Sequence, residues 1–254
     1  DQPRSRGLGD VYKRQVKGVN KEDITSLLYE LESTKAGLQM KVKVKNKTYA
    51  LKTEMMMNYN ALNIVGALTV LEAMGIFDIN EYNTCIQKIK IPGRSEVYQR
   101  KGRMIVIDSH LPKVLESLQK LKDKKEINQI KVVIGSMGYG YQNWEPRFKT
   151  TDFIASRKKA RKYAMELLKE KVDDVYLTES DNGKEKVLDI CLELKGYLED
   201  KVSSKIIEDR EQAIREAIVD SKEGDVIFIS GRGNRRVLCN SCLLYTSPSP
   251  RDRG

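Results

Sequence analysis

The chain has 254 residues, a net charge of +10, four cysteines and a single histidine. This length allows one large or two modest domains with a real core. The sequence has no run of 18 uncharged apolar residues, which excludes a membrane-spanning segment. One histidine excludes a multi-histidine metal site, and four scattered cysteines argue against a disulfide scaffold. The excess of basic over acidic residues favours nucleic acid, phosphorylated ligands or acidic small molecules as partners, but it does not distinguish among them.

The two ends of the chain resemble translated adapter DNA. Residues 5–15 (SRGLGDVYKRQ) can be back-translated so that the opposite strand, shifted by one base, encodes residues 242–252 (CLLYTSPSPRD). Two unrelated native tails would need a coincidence of eleven residues on each side. We therefore assign residues 1–15 and 242–254 to a sequencing adapter and exclude them, as non-native scars are excluded. The remaining residues 16–241 carry 40 basic and 33 acidic side chains, a net charge of +7, and we expect them to be a fragment of a longer protein.

The first part of this fragment combines a hairpin with two helices. Apolar residues alternate with lysines over 38–53, and Asn46-Lys47 is typical of a hairpin turn. The apolar residues then change to a helical period over 60–74, and a second helix is predicted over about 79–89.

From residue 103 onward, strands and helices alternate. Short apolar β-branched runs separated by amphipathic helices predict an α/β domain with a mostly parallel sheet covered on both faces, and the change of pattern predicts a domain boundary near residue 92. The predicted strands are Met104–Ile107, Ile130–Ile134, Val175–Leu177, Lys205–Ile207 and Val226–Ile229, and the predicted helices lie near 112–122, 153–171, 184–200 and 210–221.

Ligands of such sheets bind just past the carboxyl ends of the strands. The segments there are polar, glycine-rich and charged, which suits an anionic ligand; they are 108–110, 135–138, 178–184, 209–210 and 231–235. Asp108 can accept hydrogen bonds from two ribose hydroxyls or act as a helix N-cap. Arg94, after Pro92-Gly93, can bind phosphate or form a salt bridge at a domain junction. His110 is a candidate general base, but the sequence shows no acidic partner or nucleophile at a recognisable spacing from it. The alternatives are that His110 packs against a ligand or that it is a loop residue without a functional role.

Two further turns carry charged groups suited to the ends of an amino acid. Asp181, Asn182 and Lys184 form a turn rich in donors and acceptors, although solvated turns of this composition are common. Gly231 lets the backbone approach a ligand closely, and Arg232 and Arg235 can pair with carboxylates; a tight turn with surface arginines is the alternative. The basic run that includes Arg157, Lys158, Lys159, Arg161 and Lys162 is interpreted as a solvated helix face.

Six segments resemble the motifs of one enzyme family and occur in the order of that family. They are Asn58 to Leu62 (N-x-x-N-A, with Met57 where the first Asn is expected), Pro92 to Glu96 (P-G-R-x-E), Ile107 to Pro112 (D-Y-A-H-x-P, one residue shorter), Thr178 to Lys184 (T-S-D-N-P-R), Asp209 to Ile214 (D-R-x-x-A-I) and Gly231 to Asn234 (G-K-G-H). Together they resemble the Mur ligases, ATP-dependent enzymes that add amino acids to the peptidoglycan precursor. The last three resemble the branch that adds diaminopimelate or lysine to UDP-N-acetylmuramoyl-alanyl-glutamate.

The resemblance implies a Rossmann-like, mostly parallel C-terminal domain over 93–241, preceded by the end of a P-loop-type α/β ATPase domain over 16–92. It implies ATP and Mg²⁺ as cofactors of the full-length parent, and a cytoplasmic, monomeric ligase acting on a UDP-N-acetylmuramoyl-peptide and an amino acid in peptidoglycan biosynthesis. The residues it assigns to ATP are Asn60, Arg94, Asp108 and His110, and those it assigns to the amino acid are Asp181, Asn182, Lys184, Gly231 and Arg235. Asn60 has a second interpretation as a helix N-cap. No residue is assigned to catalysis or to a metal.

The sequence also departs from the family pattern. Gly183-Lys184 replaces Pro-Arg, Arg235 stands where a Glu usually follows the glycine turn, and 139–149 replaces an Asp/Arg-rich stretch. These departures leave the choice of amino acid open and allow a divergent paralogue. The chain has no G-x-x-x-x-G-K-[ST] phosphate loop, so we expect that this polypeptide alone does not turn over ATP.

Three alternatives remain. Another Mur-type amide ligase, such as a folylpolyglutamate or cyanophycin synthetase relative, shares P-G-R-x-E but not obviously the last three segments. A non-catalytic relative would bind the precursor only. A nucleic-acid-binding α/β module fits the net charge of +7, but the lysines are spread over several elements with no basic stripe interleaved with aromatic residues, so no nucleic acid is expected.

Overall fold

The computed structural model describes residues 26–44, 47–138, 150–232, 237–240 and 243–246. The chain divides into two compact units, the first ending at Lys90 and the second starting at Ile91. The domain boundary expected from the sequence lies two residues further on. No helix in the described part of the chain is both long and apolar enough to cross a bilayer.

The first unit is a three-stranded antiparallel sheet with two helices. Its strands are β1 (Ser26–Thr34), β2 (Gly37–Val44) and β3 (Lys47–Thr53), in that spatial order, and its helices are α1 (Tyr59–Ala73) and α2 (Ile79–Lys88). The hairpin β2–β3 and both helices are as predicted from the sequence, whereas β1 was not predicted. The alternation in β2 has its expected cause, because the apolar side chains are buried and the glutamine and lysines between them are exposed.

The helices of this unit pack on the sheet through apolar faces. Ile64, Val65 and Leu68 of α1 and Ile86 of α2 join the buried core of the sheet. Tyr82 of α2 is also buried there, and its hydroxyl donates to the carbonyl of Ile64 at 2.5 Å. Burial raises the pKa of Tyr82 to about 12, so this donor keeps its proton at physiological pH.

The second unit is built on one six-stranded sheet. Its spatial order is β4-β5-β9-β6-β7-β8, and only the pairing of β4 with β5 is antiparallel. The strands are β4 (Glu96–Arg100), β5 (Arg103–Asp108), β6 (Ile130–Ile134), β7 (Asp174–Leu177), β8 (Ser203–Ile206) and β9 (Val226–Ser230). The helices are α3 (Leu111–Asp123), α4 (Thr150–Lys171), α5 (Val187–Leu198) and α6 (Arg210–Val219). This confirms the predicted α/β class and mostly parallel sheet.

The last parallel strand, β9, inserts between β5 and β6. Asp108 pairs in register with Ser230, and Val133 pairs with Ile229, so the carboxyl ends of these three strands lie side by side. Every residue of β6 is buried, as expected for a central strand covered on both faces. The sheet therefore brings loops from distant parts of the sequence together at one edge.

A separate antiparallel pair follows the sheet. It consists of β10 (Val237–Asn240) and β11 (Leu243–Thr246). The second of these strands falls within the stretch that we assign from the sequence to adapter DNA.

Candidate functional site

The carboxyl ends of the parallel strands carry the polar loops of the second unit. Asp108 ends β5, Gly135–Gly138 follows β6, Thr178–Glu185 follows β7, and Gly231-Arg232 follows β9. Backbone hydrogen bonds tie neighbouring loops to each other, among them Gly231 N to Asp108 O at 3.2 Å and Gly138 N to Asp181 O at 2.9 Å. Those residues predicted for this edge that the structure describes are therefore gathered in one region.

Asp108 is fully buried and serves the turn before β4. Its Oδ2 accepts from the nitrogen of Ser95 at 2.8 Å and from Ser95 Oγ at 3.2 Å, while its Oδ1 accepts from the nitrogen of His110 at 2.7 Å. His110, not Asp108, is the N-cap residue of α3, so the expectation of a direct cap at Asp108 is not met. A ribose hydroxyl would have to share this carboxylate with Ser95 and His110.

The other three residues expected at a nucleotide lie in different settings. Arg94 is exposed and forms no ion pair within the described part of the second unit, so the salt-bridge interpretation gains no support. His110 is also exposed, at the start of α3. Asn60 is buried in the first turn of α1, where Asn58 is the N-cap position, so the expectation that Asn60 is the cap is wrong. Asn60 belongs to the first unit and the other two to the second.

An ion pair between a buried aspartate and a part-buried arginine links the loops after β7 and β9. Arg232 Nη1 lies 2.8 Å from Asp181 Oδ1, and the two side chains are 10% and 4% exposed. Arg210, the first residue of α6, approaches the same loops and donates to the carbonyl oxygens of Glu179 at 3.3 Å and Ser230 at 2.9 Å. Burial, together with the nearby charge of Arg232, lowers the pKa of Arg210 to about 10, so it stays charged at neutral pH. The region thus holds two cationic groups beside one paired carboxylate.

Asn182 adds a polar atom that the described residues leave unsatisfied. Its Nδ2 donates to the carbonyl of Glu185 at 2.7 Å, but its Oδ1 is buried and accepts no hydrogen bond from the described residues. A buried acceptor without a donor typically costs about 1–3 kcal/mol, so such a position favours a ligand that donates a proton. Lys184 is exposed, unlike its two predicted partners. Arg235 lies outside the described residues.

Glycines allow the loops after β6 and β7 to touch. A Cβ at Gly135 would lie 2.4 Å from the carbonyl oxygen of Thr178, and one at Gly138 would lie 1.9 Å from that of Asn182. Gly231 is required for another reason, since its φ of +104° is strained for other residues, while an added Cβ would lie 3.8 Å from the carbonyl oxygen of Gly135, an ordinary contact. The sequence indicated that Gly231 allows the backbone to approach a ligand closely. It did not indicate the contacts of Gly135 and Gly138, which arise only because their strands lie side by side.

One prediction about this region is wrong. Arg161 was interpreted as part of a solvated helix face, but its side chain is 1% exposed and lies against Glu185 and Glu193. The signal that could have found it is helical spacing, because Arg161 shares one face of α4 with Met165 and Leu168, which are fully buried.

The described residues offer no metal site of ordinary composition. They contain no group of three or more histidine, cysteine, aspartate or glutamate side chains placed to hold an ion. Buried carboxylates such as Asp108 and Asp181 are instead engaged with donors of the chain itself.

Curated relatives carry names of peptidoglycan ligases. A UDP-N-acetylmuramyl-tripeptide synthetase of Bifidobacterium longum is 25% identical over 192 residues, covering 70% of this chain and 34% of that protein. A UDP-N-acetylmuramoyl-L-alanyl-D-glutamate–2,6-diaminopimelate ligase of Aquifex aeolicus is 27% identical over 203 residues, covering 78% of this chain and 38% of that protein. The chain thus spans a little over a third of the length of these two relatives.

Solved structures share the fold. The structure of a UDP-N-acetylmuramoyl-L-alanyl-D-glutamate–2,6-diaminopimelate ligase superposes with a TM-score of 0.56 at 21% identity, over 89% of this chain and 44% of that one. A MurF ligase from Thermotoga maritima, solved in complex with ADP, superposes with a TM-score of 0.53 at 19% identity, over 82% of this chain and 43% of that one. At these identities the likeness concerns the fold alone.

The match to a family is more specific than these single comparisons. The family described as "Mur ligase, glutamate ligase domain" matches residues 93–233, which is more than half of the chain and contains β5, β6, β7, β9 and the loops at their carboxyl ends. The chain therefore belongs to the Mur ligase family, as its motifs predicted.

Proposed function

We propose that the chain is the amino-acid-receiving part of an ATP-dependent ligase that joins diaminopimelate or lysine to a UDP-N-acetylmuramoyl-dipeptide in peptidoglycan synthesis. The observation that carries the proposal is the largely shielded ion pair Asp181–Arg232, next in sequence to the unsatisfied Oδ1 of Asn182. Family membership and the names of the relatives support the reaction class.

The site suits the two charged ends of a free amino acid. A substrate ammonium group can donate to Asp181 and to Asn182 Oδ1, while a substrate carboxylate can accept from Arg232 or Arg210. In the free protein Asp181 and Arg232 neutralise each other, so a zwitterion can replace both halves of the pair without leaving either charge alone. Lys184 and Gly231, which are exposed, are proposed to complete this site, and Arg235 is proposed as a further contact from its sequence motif alone.

The proposed reaction needs position more than it needs an acid or base from this chain. ATP transfers its terminal phosphoryl group to the carboxylate of the acceptor dipeptide, leaving ADP and an acyl phosphate. The bound ammonium group loses one proton to solvent, and the resulting neutral amine forms the new C–N bond as the C–O bond to phosphate breaks. The second proton lost from nitrogen leaves with the released inorganic phosphate. Holding the amine in line with the acyl carbon is the contribution that we assign to Asp181 and Asn182.

The nucleotide part of the proposal rests on the family, and some relatives of similar fold were solved with ADP. Asn60, Arg94, Asp108 and His110 remain the proposed ATP contacts. Asp108 can take this role only by sharing its carboxylate with Ser95. Mg²⁺ is proposed for the parent enzyme, and no step is assigned to it here, because the described residues offer no ligand cluster.

The test has two stages. First, calorimetric titration of diaminopimelate, lysine and glutamate into this chain should show binding of one of the first two, lost in Asn182→Ala. Preference for glutamate would instead favour a folylpolyglutamate-type ligase, and no binding of any of the three would contradict the proposal. Second, sequencing the source locus upstream of Val16 should reveal a phosphate loop in the same frame; a parent without one would leave a binding-only relative.

A further inference from the structure

Arg161 uses its whole hydrogen-bonding capacity inside the protein. Its Nε donates to Ser136 Oγ at 3.2 Å, its Nη1 to Glu185 Oε1 at 3.0 Å and Glu193 Oε2 at 2.6 Å, and its Nη2 to the Met137 carbonyl at 3.0 Å and Glu185 Oε2 at 2.8 Å. A guanidinium has five N–H donors, so none is left for a ligand. Arg161 therefore cannot act by touching a substrate.

The partners of Arg161 belong to three separate segments. Ser136 and Met137 lie in the loop after β6, Glu185 ends the loop after β7, and Glu193 lies on α5. Burial alone would lower the pKa of Arg161, but its bonds to the two glutamates outweigh burial and raise it, so the cation is permanent. One buried charge thus holds the two loops and a helix together.

This attachment reaches the proposed amino-acid contacts through short links. Glu185 N donates to Asn182 O at 3.0 Å, and Asn182 Nδ2 donates back to Glu185 O at 2.7 Å. Asp181 is linked to the loop after β6, because Gly138 N donates to Asp181 O at 2.9 Å. Both residues proposed to bind the substrate ammonium are therefore held by loops that Arg161 fixes.

We propose that Arg161 is a positioning residue that sets the affinity for the amino acid by fixing the loop 178–185. The inference rests on the proposed function, because it takes Asp181 and Asn182 to be the contacts of that ligand. Lysine at this position would keep the charge but lose the planar fork that bridges two carboxylates and a carbonyl. Glu185 and Glu193 would then be held by one nitrogen at most, and the loop would gain freedom.

Amino-acid affinity and loop protection test the proposal together. We would titrate diaminopimelate and lysine into the wild-type chain, Arg161→Lys and Glu193→Gln, and follow amide hydrogen exchange of 138 and 181–185 in each. We expect Arg161→Lys to weaken binding about tenfold or more, since a displacement of about 1 Å at a binding group has effects of this size. Glu193→Gln should fall between it and the wild type, and loop exchange should rise in the same order.

The matched control is Lys122→Met. It removes another ion pair of the same unit, between Lys122 Nζ and Asp173 Oδ2 at 2.6 Å, but at the amino ends of β6 and β7. We expect this variant to lose stability while keeping its amino-acid affinity and the loop protection. A role of Arg161 in stability alone would give the same pattern for Arg161→Lys.

The outcomes separate the two proposals. If the wild type binds an amino acid and Arg161→Lys binds it equally well, Arg161 has no positioning role, but the proposed function stands. If the wild type binds neither amino acid, the proposed function fails and this inference with it. If Arg161→Lys loses protection in β6 and β9 as well, it has unfolded, and unchanged affinity of Glu193→Gln then overturns the inference.

Discussion

Asp108 Oδ2 accepts hydrogen bonds from both the backbone nitrogen and the hydroxyl of Ser95. Ser95 is buried and has a φ of +50°, a left-handed conformation that is unfavourable for a residue with a side chain. The carboxylate therefore stabilises the turn that leads into β4, and it does so from the residue that the family resemblance assigns to ATP. Any nucleotide that binds Asp108 acts on the same group that holds this turn.

The strain at Ser95 can be separated from its hydrogen bond. Ser95→Ala loses the hydroxyl donor and keeps the left-handed φ, whereas Ser95→Gly loses the donor but removes the strain. We expect Ser95→Gly to be more stable than Ser95→Ala by about 1 kcal/mol. Urea unfolding of both variants measures the difference, and equal stability would show that the turn relaxes when the hydroxyl is removed.

The pair Asp181–Arg232 should show strong coupling. Asp181→Asn removes the carboxylate that pairs with the part-buried cation of Arg232, and breaking a buried pair in this way typically costs about 3–5 kcal/mol. Replacing both, as in Asp181→Asn with Arg232→Met, should be less destabilising than Asp181→Asn alone, because no buried charge is then left uncompensated. Chemical denaturation of Asp181→Asn, Arg232→Met and the double variant gives the coupling energy, and additive losses would argue that solvent reaches the pair.

The close contact between Gly138 and the loop after β7 leaves no room for a larger side chain at this position. A methyl group there would meet the carbonyl of Asn182, so Gly138→Ala should lower the stability by about 1–3 kcal/mol and displace the loop after β7. Gly196, within α5, provides the control, since nothing lies within 4 Å of its added Cβ. Gly196→Ala should raise the stability by about 0.5–1 kcal/mol, as for alanine in a helix. Thermal unfolding compares them, and a neutral Gly138→Ala would contradict the tight contact.

We expect Asp220 to stabilise the folded protein at neutral pH and to lose this contribution in acid. Hydrogen bonds from Lys205 and Tyr176 lower the pKa of Asp220 from its ordinary value of 3.8. A carboxyl group whose pKa is lower in the folded state stabilises the protein fully above that ordinary value, and this stabilisation is lost as the pH falls through the folded-state pKa. The effect should be small, because the ion pair is partly exposed.

The check is a comparison of Asp220→Asn with the wild type as a function of pH. The variant should be less stable at pH 6, and the difference should shrink as the pH falls below about 4. A difference that stays constant across this range would mean that the ionisation of Asp220 does not contribute.

Local sequence patterns were enough to predict most of the elements. The alternation over 38–53 specified a hairpin because side chains of a strand point to opposite faces in turn. The run Ile130–Ile134 specified a strand buried on both faces, since it has no polar face to expose apart from Lys131, whose ammonium group bonds to Asp174. The strands β1 and β4 escaped prediction because most of their residues are exposed or half-buried, which leaves a weaker pattern.

The candidate site was only partly readable in the sequence. Motif order placed Asp108, Asp181, Asn182 and Gly231 at one edge, because parallel strands end together. It could not show that Asp108 is already bonded to Ser95, since that bond joins residues of β5 and of the turn before β4.

The sequence by itself determined the α/β class, the order of the strands along the chain and the family. Only the tertiary structure decided that Arg161 is buried, that Arg232 pairs with Asp181, and that the loops after β6 and β7 touch through glycines. The physical reason is the separation along the chain of the residues in contact. Periodicity and motifs report on neighbours along the chain, whereas these contacts join segments tens of residues apart, and their energies depend on the burial that the sheet creates.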